Sequence, residues 1–140
     1  MKKPAKGPHA LPRISEEMKQ WSAMLETELH DWPQVSSKPM FGMTAFYRGL
    51  QIFAVIPKTR AFGTSNGVAF RFEEISKKLA EELSNDPRVL TNPIGRKWIT
   101  FEVKDAKDIN AALEWMSRAF EARKPARAKA KPAKSKKSGR

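Results

Sequence analysis

Met40-Phe41-Gly42-Met43-Thr44-Ala45-Phe46-Tyr47-Arg48-Gly49-Leu50-Gln51-Ile52-Phe53-Ala54-Val55-Ile56 is the stretch on which the fold of this 140-residue chain turns. Residues 36–41 and 43–48 read as two short strands interrupted near Gly42, and Arg48-Gly49-Leu50-Gln51 reads as a turn. Residues 51–56 form a nearly continuous apolar strand that Pro57 stops. Links this short force antiparallel pairing, because parallel neighbours need a crossover of about a dozen residues.

Upstream, Ser15 supplies a hydroxyl cap, and Glu16 and Glu17 follow near the positive end of a helix dipole. Met18, Trp21, Leu25, Leu29 and Trp32 then recur at steps of three and four, so the spacing predicts a helix over 15–31 with Pro33 at its exit. Downstream, 60–62 reads as a further short strand, Thr64-Ser65-Asn66-Gly67 as a turn and 68–72 as a strand. A second helix is expected at 73–84, with Ile75, Leu79 and Leu83 on one face and Asn85-Asp86-Pro87 at its end. Strands near 88–91 and 97–103 follow. The last helix, 106–122, is capped by Asp105 and carries a stripe of Ile109, Leu113, Met116 and Phe120. Helices set apart from a run of hairpins indicate an α+β domain with a mostly antiparallel sheet, flanked by N-terminal, middle and C-terminal helices.

Charge divides the chain more sharply than hydropathy does. The whole carries 27 Lys and Arg against 15 Asp and Glu, a formal +12. Residues 1–13 hold Lys2, Lys3, Lys6 and Arg13 with no acid. Residues 124–140 hold Lys124, Arg127, Lys129, Lys131, Lys134, Lys136, Lys137 and Arg140, again with no acid. Residues 14–123 are balanced, so the two ends account for all of the net charge. Both ends are rich in Pro, Ala, Gly and Lys and too poor in apolar residues to offset an ordering cost of about 1–2 kcal/mol per residue. The expected organisation is a disordered basic arm over 1–13, one domain over 14–123 and a disordered basic tail over 124–140.

Composition also removes several chemistries. There is no Cys, hence no disulfide framework, thiolate site or Cys nucleophile, and His9 and His30 are too few for a multi-histidine metal centre. No apolar run approaches the roughly 18 residues of a membrane span, and no secretory leader is evident. The expectation is a soluble, cytoplasmic protein without a membrane partner.

Residues 40–56 resemble the Met-Phe-Gly…Tyr…Gly…Phe-Ala core of TfoX N-terminal domains, through Met40, Phe41, Gly42, Tyr47, Gly49, Phe53 and Ala54. Met43 and Ala45 stand where that family often has further glycines. The leading helix and the final strand–helix unit beginning at Trp98 are similar to the same family and to the related MmcQ/YjbR group. The resemblance covers most of 15–122 and implies a compact α+β architecture like that of secretion chaperones, with a binding or regulatory role.

Four features are candidate sites. Eight cations in the tail suit a polyanion, whose condensed counterions are released on neutralisation. The binding residues named by this reading are Lys124, Arg127, Lys129, Lys131, Lys134, Lys136 and Lys137, with non-specific contact expected. On the domain, Arg60, Arg71, Arg96 and Lys97 form a possible anion patch beside Trp98. Gly42 suits a left-handed or bulged position that leaves the backbone near a ligand groove, or a structural bulge with Met40 and Phe41 in the core or a dimer interface; Met40, Phe41 and Met43 together would suit an adaptable partner surface. Finally, His30 lies beside Asp31 with Ser36 and Ser37 nearby, but adjacent helix residues face different ways and do not make an orienting pair. Thr64-Ser65-Asn66-Gly67 lacks the Lys and glycine count of a phosphate loop. No catalytic residue, metal ligand or cofactor is assigned. The expectation is a non-enzymatic module whose arms contact nucleic acid while its core meets a protein partner or a second copy. The alternative is a chaperone-like or structural interaction domain with incidental tails.

Overall fold

The computed structural model describes residues 11–62, 64–90 and 97–122. Helix α1 (Glu16–His30) leads into strands β1 (Val35–Met40), β2 (Met43–Arg48), β3 (Gln51–Pro57) and β4 (Gly67–Arg71). Helix α2 (Lys77–Ser84), strands β5 (Val89–Leu90) and β6 (Trp98–Glu102), and helix α3 (Lys107–Ala122) complete the chain order. The six strands form one antiparallel sheet in the order β1-β2-β3-β4-β6-β5. The α+β architecture with three helices is the one expected.

Local chemistry sets the element ends. Ser15 Oγ accepts the Met18 N–H at 3.0 Å and donates to Asn66 Oδ1 at 3.2 Å, so the α1 cap is also tied to the turn before β4. Helix α2 begins at Lys77, four residues later than the sequence suggested, because Ser76 is its cap and accepts the Leu79 N–H at 3.1 Å. Glu73 and Glu74, which mimic an acidic first turn, lie outside the helix. Residues 60–62 form no strand; Arg60 makes a single antiparallel bridge with Arg13. Ile14 N–H donates to the Thr59 carbonyl and Ala61 N–H to the Pro12 carbonyl, so residues 11–13 belong to the domain and its boundary lies upstream of residue 14.

The three helices lie on one side of the sheet, where α1 packs on β3 and α3 on β3 and β4. Met18, Leu25 and Leu29 from α1 meet Phe46, Phe53, Ile56, Val68, Phe70 and Phe101 from the sheet and Met116 and Phe120 from α3. Each such side chain contributes about 1.5–3 kcal/mol by leaving water. The pairing of β2 with β3 shifts between Phe46 and Tyr47, which opposes Phe46 to Ala54 and Tyr47 to Ile52 and leaves Phe53 as the extra residue. This bulge lets both Phe53 and Ala54 enter the helix-side core. On the other face, Met43, Ala45, Val55 and Ala69 form a second buried cluster edged by Leu11, Tyr47, Ile52, Phe62 and Trp98.

The interruption at Gly42 is a hairpin turn, and of the two positions expected for this glycine, left-handed or bulged, it takes the left-handed one. Met40 pairs with Met43, leaving a two-residue loop in which Phe41 (φ +50°) and Gly42 (φ +80°) are both left-handed. That is a type I′ turn, whose twist matches that of the strands it joins. The bulge itself lies farther along, at Phe46 and Tyr47.

Candidate nucleic-acid interface

All seven tail residues assigned to nucleic acid, Lys124 to Lys137, lie outside the described residues, as do Lys2, Lys3, Lys6 and Arg96. Their points of attachment are described. At the C-terminal end, Arg48 Nη1 donates to the Phe120 carbonyl at 3.0 Å, and its guanidinium lies 4.1 Å from the centre of the Phe120 ring. Trp32, Phe53 and Phe120 pack together there at centroid distances of 5.2–6.1 Å. The end of α3 is therefore fixed beside the β2–β3 turn. At the N-terminal end, Arg60 Nη1 donates to the Leu11 carbonyl at 3.0 Å, placing the start of the domain beside the residues that follow β3. The two attachment points lie toward opposite ends of β2, a strand about 17 Å long at 3.4 Å per residue.

The proposed patch on the domain does not come together among the described residues. Arg71 is the register partner of Trp98, and Glu73 sits between two cations: 3.6 Å from Arg71 Nη1 and 4.0 Å from Lys97 Nζ. Arg60 instead follows the Pro57 end of β3, whereas Arg71 adjoins its opposite half, since Phe70 pairs with Ala54. The patch thus reduces to Arg71 and Lys97 sharing one carboxylate, with Arg60 elsewhere.

Around Arg60 the structure builds something the sequence did not signal. The Gly42 carbonyl accepts three consecutive backbone N–H groups, those of Lys58 (3.0 Å), Thr59 (2.8 Å) and Arg60 (3.1 Å). The β1–β2 turn is therefore docked onto the turn after β3. Phe41 projects from it with 81% of its surface exposed, while Met43 is only 2% exposed and Met40 is half-buried. Met40, Phe41 and Met43 are thus not one exposed surface, and Phe41 is not a core residue. Tyr47, Gly49 and Phe53 take structural places: Tyr47 edges the second face, Gly49 turns the hairpin and Phe53 fills the main core.

A shallow groove of about 250 Å³ lies behind this turn, bounded by Glu26, Ser37, Lys38, Pro39, Thr44 and Lys58. Thr44 Oγ1 donates to Glu26 Oε2 at 3.3 Å. Nearby, Ser37 Oγ approaches His30 Nε2 at 3.4 Å, the outer limit of a hydrogen bond, and His30 meets the Phe46 ring edge-on at 5.1 Å. Asp31 serves instead as the α1 C-cap, its backbone N–H on the Glu28 and Leu29 carbonyls.

The densest polar constellation is one the sequence reading passed over. Arg88 Nε and Nη2 donate to the two Asp86 oxygens at 2.9 and 3.2 Å, and Nη1 to Asp108 Oδ1 at 3.1 Å. Trp115 Nε1 donates to Asp86 Oδ2 and the Lys104 N–H to Asp108 Oδ2, both at 2.9 Å. Burial alone would raise both carboxyls, but the bonds from Arg88, Trp115 and backbone N–H groups outweigh it and hold both below the ordinary carboxylate range. The same bonds raise Arg88. With both carboxylates and the guanidinium engaged, the cluster clamps β5 and the start of α3 together. Its members are up to 29 residues apart, and no local motif announces their convergence.

Among the described residues, no group of three or more acidic or His side chains could hold a metal ion, and no helix is long and apolar enough to cross a membrane. No family model, curated protein or solved structure matches this chain.

Proposed function

We propose that this chain is a small cytoplasmic, non-enzymatic binding or regulatory module, resembling TfoX N-terminal domains, that attaches to nucleic acid non-specifically through its basic arms. One observation carries the reading: of the formal charge of +12, +11 lies in residues 1–10 and 124–140, outside a domain that with Arg13 carries only +1. Cations arranged this way neutralise phosphates without holding any side chain against a base edge, which gives affinity without sequence readout. The fixed ends of the domain support the reading, since the arms would diverge from opposite ends of β2 and reach separated phosphates. The neutral core remains available to a protein partner or a second copy.

Gel-shift titration of two duplexes of unrelated sequence tests this, using the full chain and a full-length variant with the eight cations of 124–140 replaced by Gln. Equal affinity for the two duplexes, lost in the variant, is the expected result. Retained binding by the variant would move the site onto the domain, and Arg60, Arg71, Arg96 and Lys97 would be substituted next. Absence of binding by either protein would favour the chaperone-like or structural protein-interaction alternative.

A further inference from the structure

Phe41 is held in a conformation and an environment that both disfavour it. Its φ of +50° is one that non-glycine residues rarely adopt, and Asn is the usual occupant of this position in a type I′ turn. Its ring is 81% exposed, so no burial offsets the strain. Strain retained where it gains nothing for packing points to use of the side chain.

The surroundings indicate what that use is. The Gly42 carbonyl is fastened by the N–H groups of Lys58, Thr59 and Arg60, which fixes the turn that carries the ring. A Cβ on Gly42 would come within 2.8 Å of Thr59 Oγ1 and 2.9 Å of Arg60 Cγ, so the two turns are in close contact. Lys58 is exposed and has no ion pair among the described residues. Arg60 is bonded to the Leu11 carbonyl. An exposed aromatic residue on a turn fastened to the Lys58–Arg60 segment joins a free π-face to neighbouring cationic residues, the pairing that binds a polyanion with free π-faces. Bases within a duplex have both faces covered by their neighbours, whereas an unpaired base offers one to a protruding ring.

From this juxtaposition we infer that Phe41 is a stacking platform for an unpaired base, and that the preferred polyanion of this protein is single-stranded nucleic acid. The inference rests on the proposed function and adds the class of strand. It is tested by fluorescence anisotropy with the full chain, a labelled oligothymidylate of about 20 nucleotides and a duplex of the same length, at fixed salt. The full chain is expected to bind the single strand more tightly than the duplex. Phe41→Ala is expected to weaken single-strand binding by about 5- to 150-fold, the loss of one stacked base, while leaving duplex binding unchanged. Phe41→Trp is expected to retain single-strand affinity and to show fluorescence quenching on binding. Phe41→Asn separates function from folding: it should raise Tm by relieving the left-handed strain and still lose single-strand affinity as Phe41→Ala does.

Equal single-strand affinity in the full chain and in Phe41→Ala would overturn the inference and leave the arms as the nucleic-acid element. An equal loss on single strand and duplex would also overturn it. If the unsubstituted chain bound neither probe, the proposed function itself would fall and this inference with it. Unchanged nucleic-acid affinity together with a dimer-to-monomer shift of Phe41→Ala in sedimentation would assign the ring to a contact between copies.

Discussion

At the scale of single residues, two glycines differ in the reason they cannot be replaced. Gly42 is left-handed, and its Cβ would press on Thr59 Oγ1 and Arg60 Cγ, side-chain atoms near the backbone that give way only at a cost. Gly67 has no such backbone demand, but a Cβ there would come within 2.2 Å of the Phe62 carbonyl, which is backbone and cannot. Gly67→Ala should therefore cost more than Gly42→Ala: about 3 kcal/mol or more against about 1–2 kcal/mol, read from urea melts. The reverse order would mean that the Phe62 carbonyl does not press on β4. Gly42→Val should exceed Gly42→Ala, since β-branching adds to the left-handed strain. Thr100 makes a prediction of the opposite sign. It is fully buried, and its Oγ1 has no hydrogen-bond partner among the described residues. Thr100→Val removes that hydroxyl at nearly constant shape and should leave stability unchanged or raise it by up to about 1 kcal/mol. A clear loss in a thermal melt would show that the hydroxyl has a partner.

At the scale of elements, the helices and hairpins were legible wherever a local rule governed them. Ser15 and the three- and four-residue spacing of Met18, Leu25 and Leu29 placed α1 within a residue at each end. Reading failed where two local rules competed. Glu73 and Glu74 resemble a helix start, but the hydroxyl of Ser76 decides, and α2 begins at Lys77. Phe41 was expected in the core, a dimer interface or a partner surface; the register of Met40 with Met43 makes it an exposed turn residue, which removes the core, and Phe-Gly lacks the Asn-Gly signature that would have announced the turn. The Asp86–Arg88–Asp108 clamp was invisible for a different reason: its contacts span β5, α3 and the loops between, and nothing local marks them. Arg88→Met should destabilise by about 2 kcal/mol, less than the loss on breaking a fully buried pair because a third of the guanidinium side chain is exposed. The sign with pH follows from the depressed carboxyls. Their contribution is present above the unfolded carboxylate range, near about 4, and disappears as pH falls through the lower folded values. Without Arg88, burial would push both carboxyls back up, so acid unfolding of the variant should begin at a higher pH than that of the parent. Coincident acid transitions would show that the clamp does not set acid stability.

At the scale of the molecule, the division between a balanced domain and basic ends is written entirely in the sequence, and the structure adds where the ends are fixed. Arg48 on the Phe120 carbonyl and Arg60 on the Leu11 carbonyl place those attachment points at opposite ends of one strand. The candidate site was legible to a lesser degree. Aligned hairpins would have gathered Arg60, Arg71, Arg96 and Lys97 into one patch, yet the antiparallel return of β4 separates Arg60 from Arg71 and Lys97, which share Glu73, and Arg96 lies outside the described residues. The proposed function accordingly rests on the cations of residues 1–10 and 124–140 and on their binding to nucleic acid. The most direct measurement is the slope of log affinity against log salt for the full chain on duplex DNA, compared with the variant lacking the eight C-terminal cations. If all eight engage, the expected slope is about −7 for the full chain and far shallower for the variant. A slope near zero, or the same slope in both proteins, would contradict it.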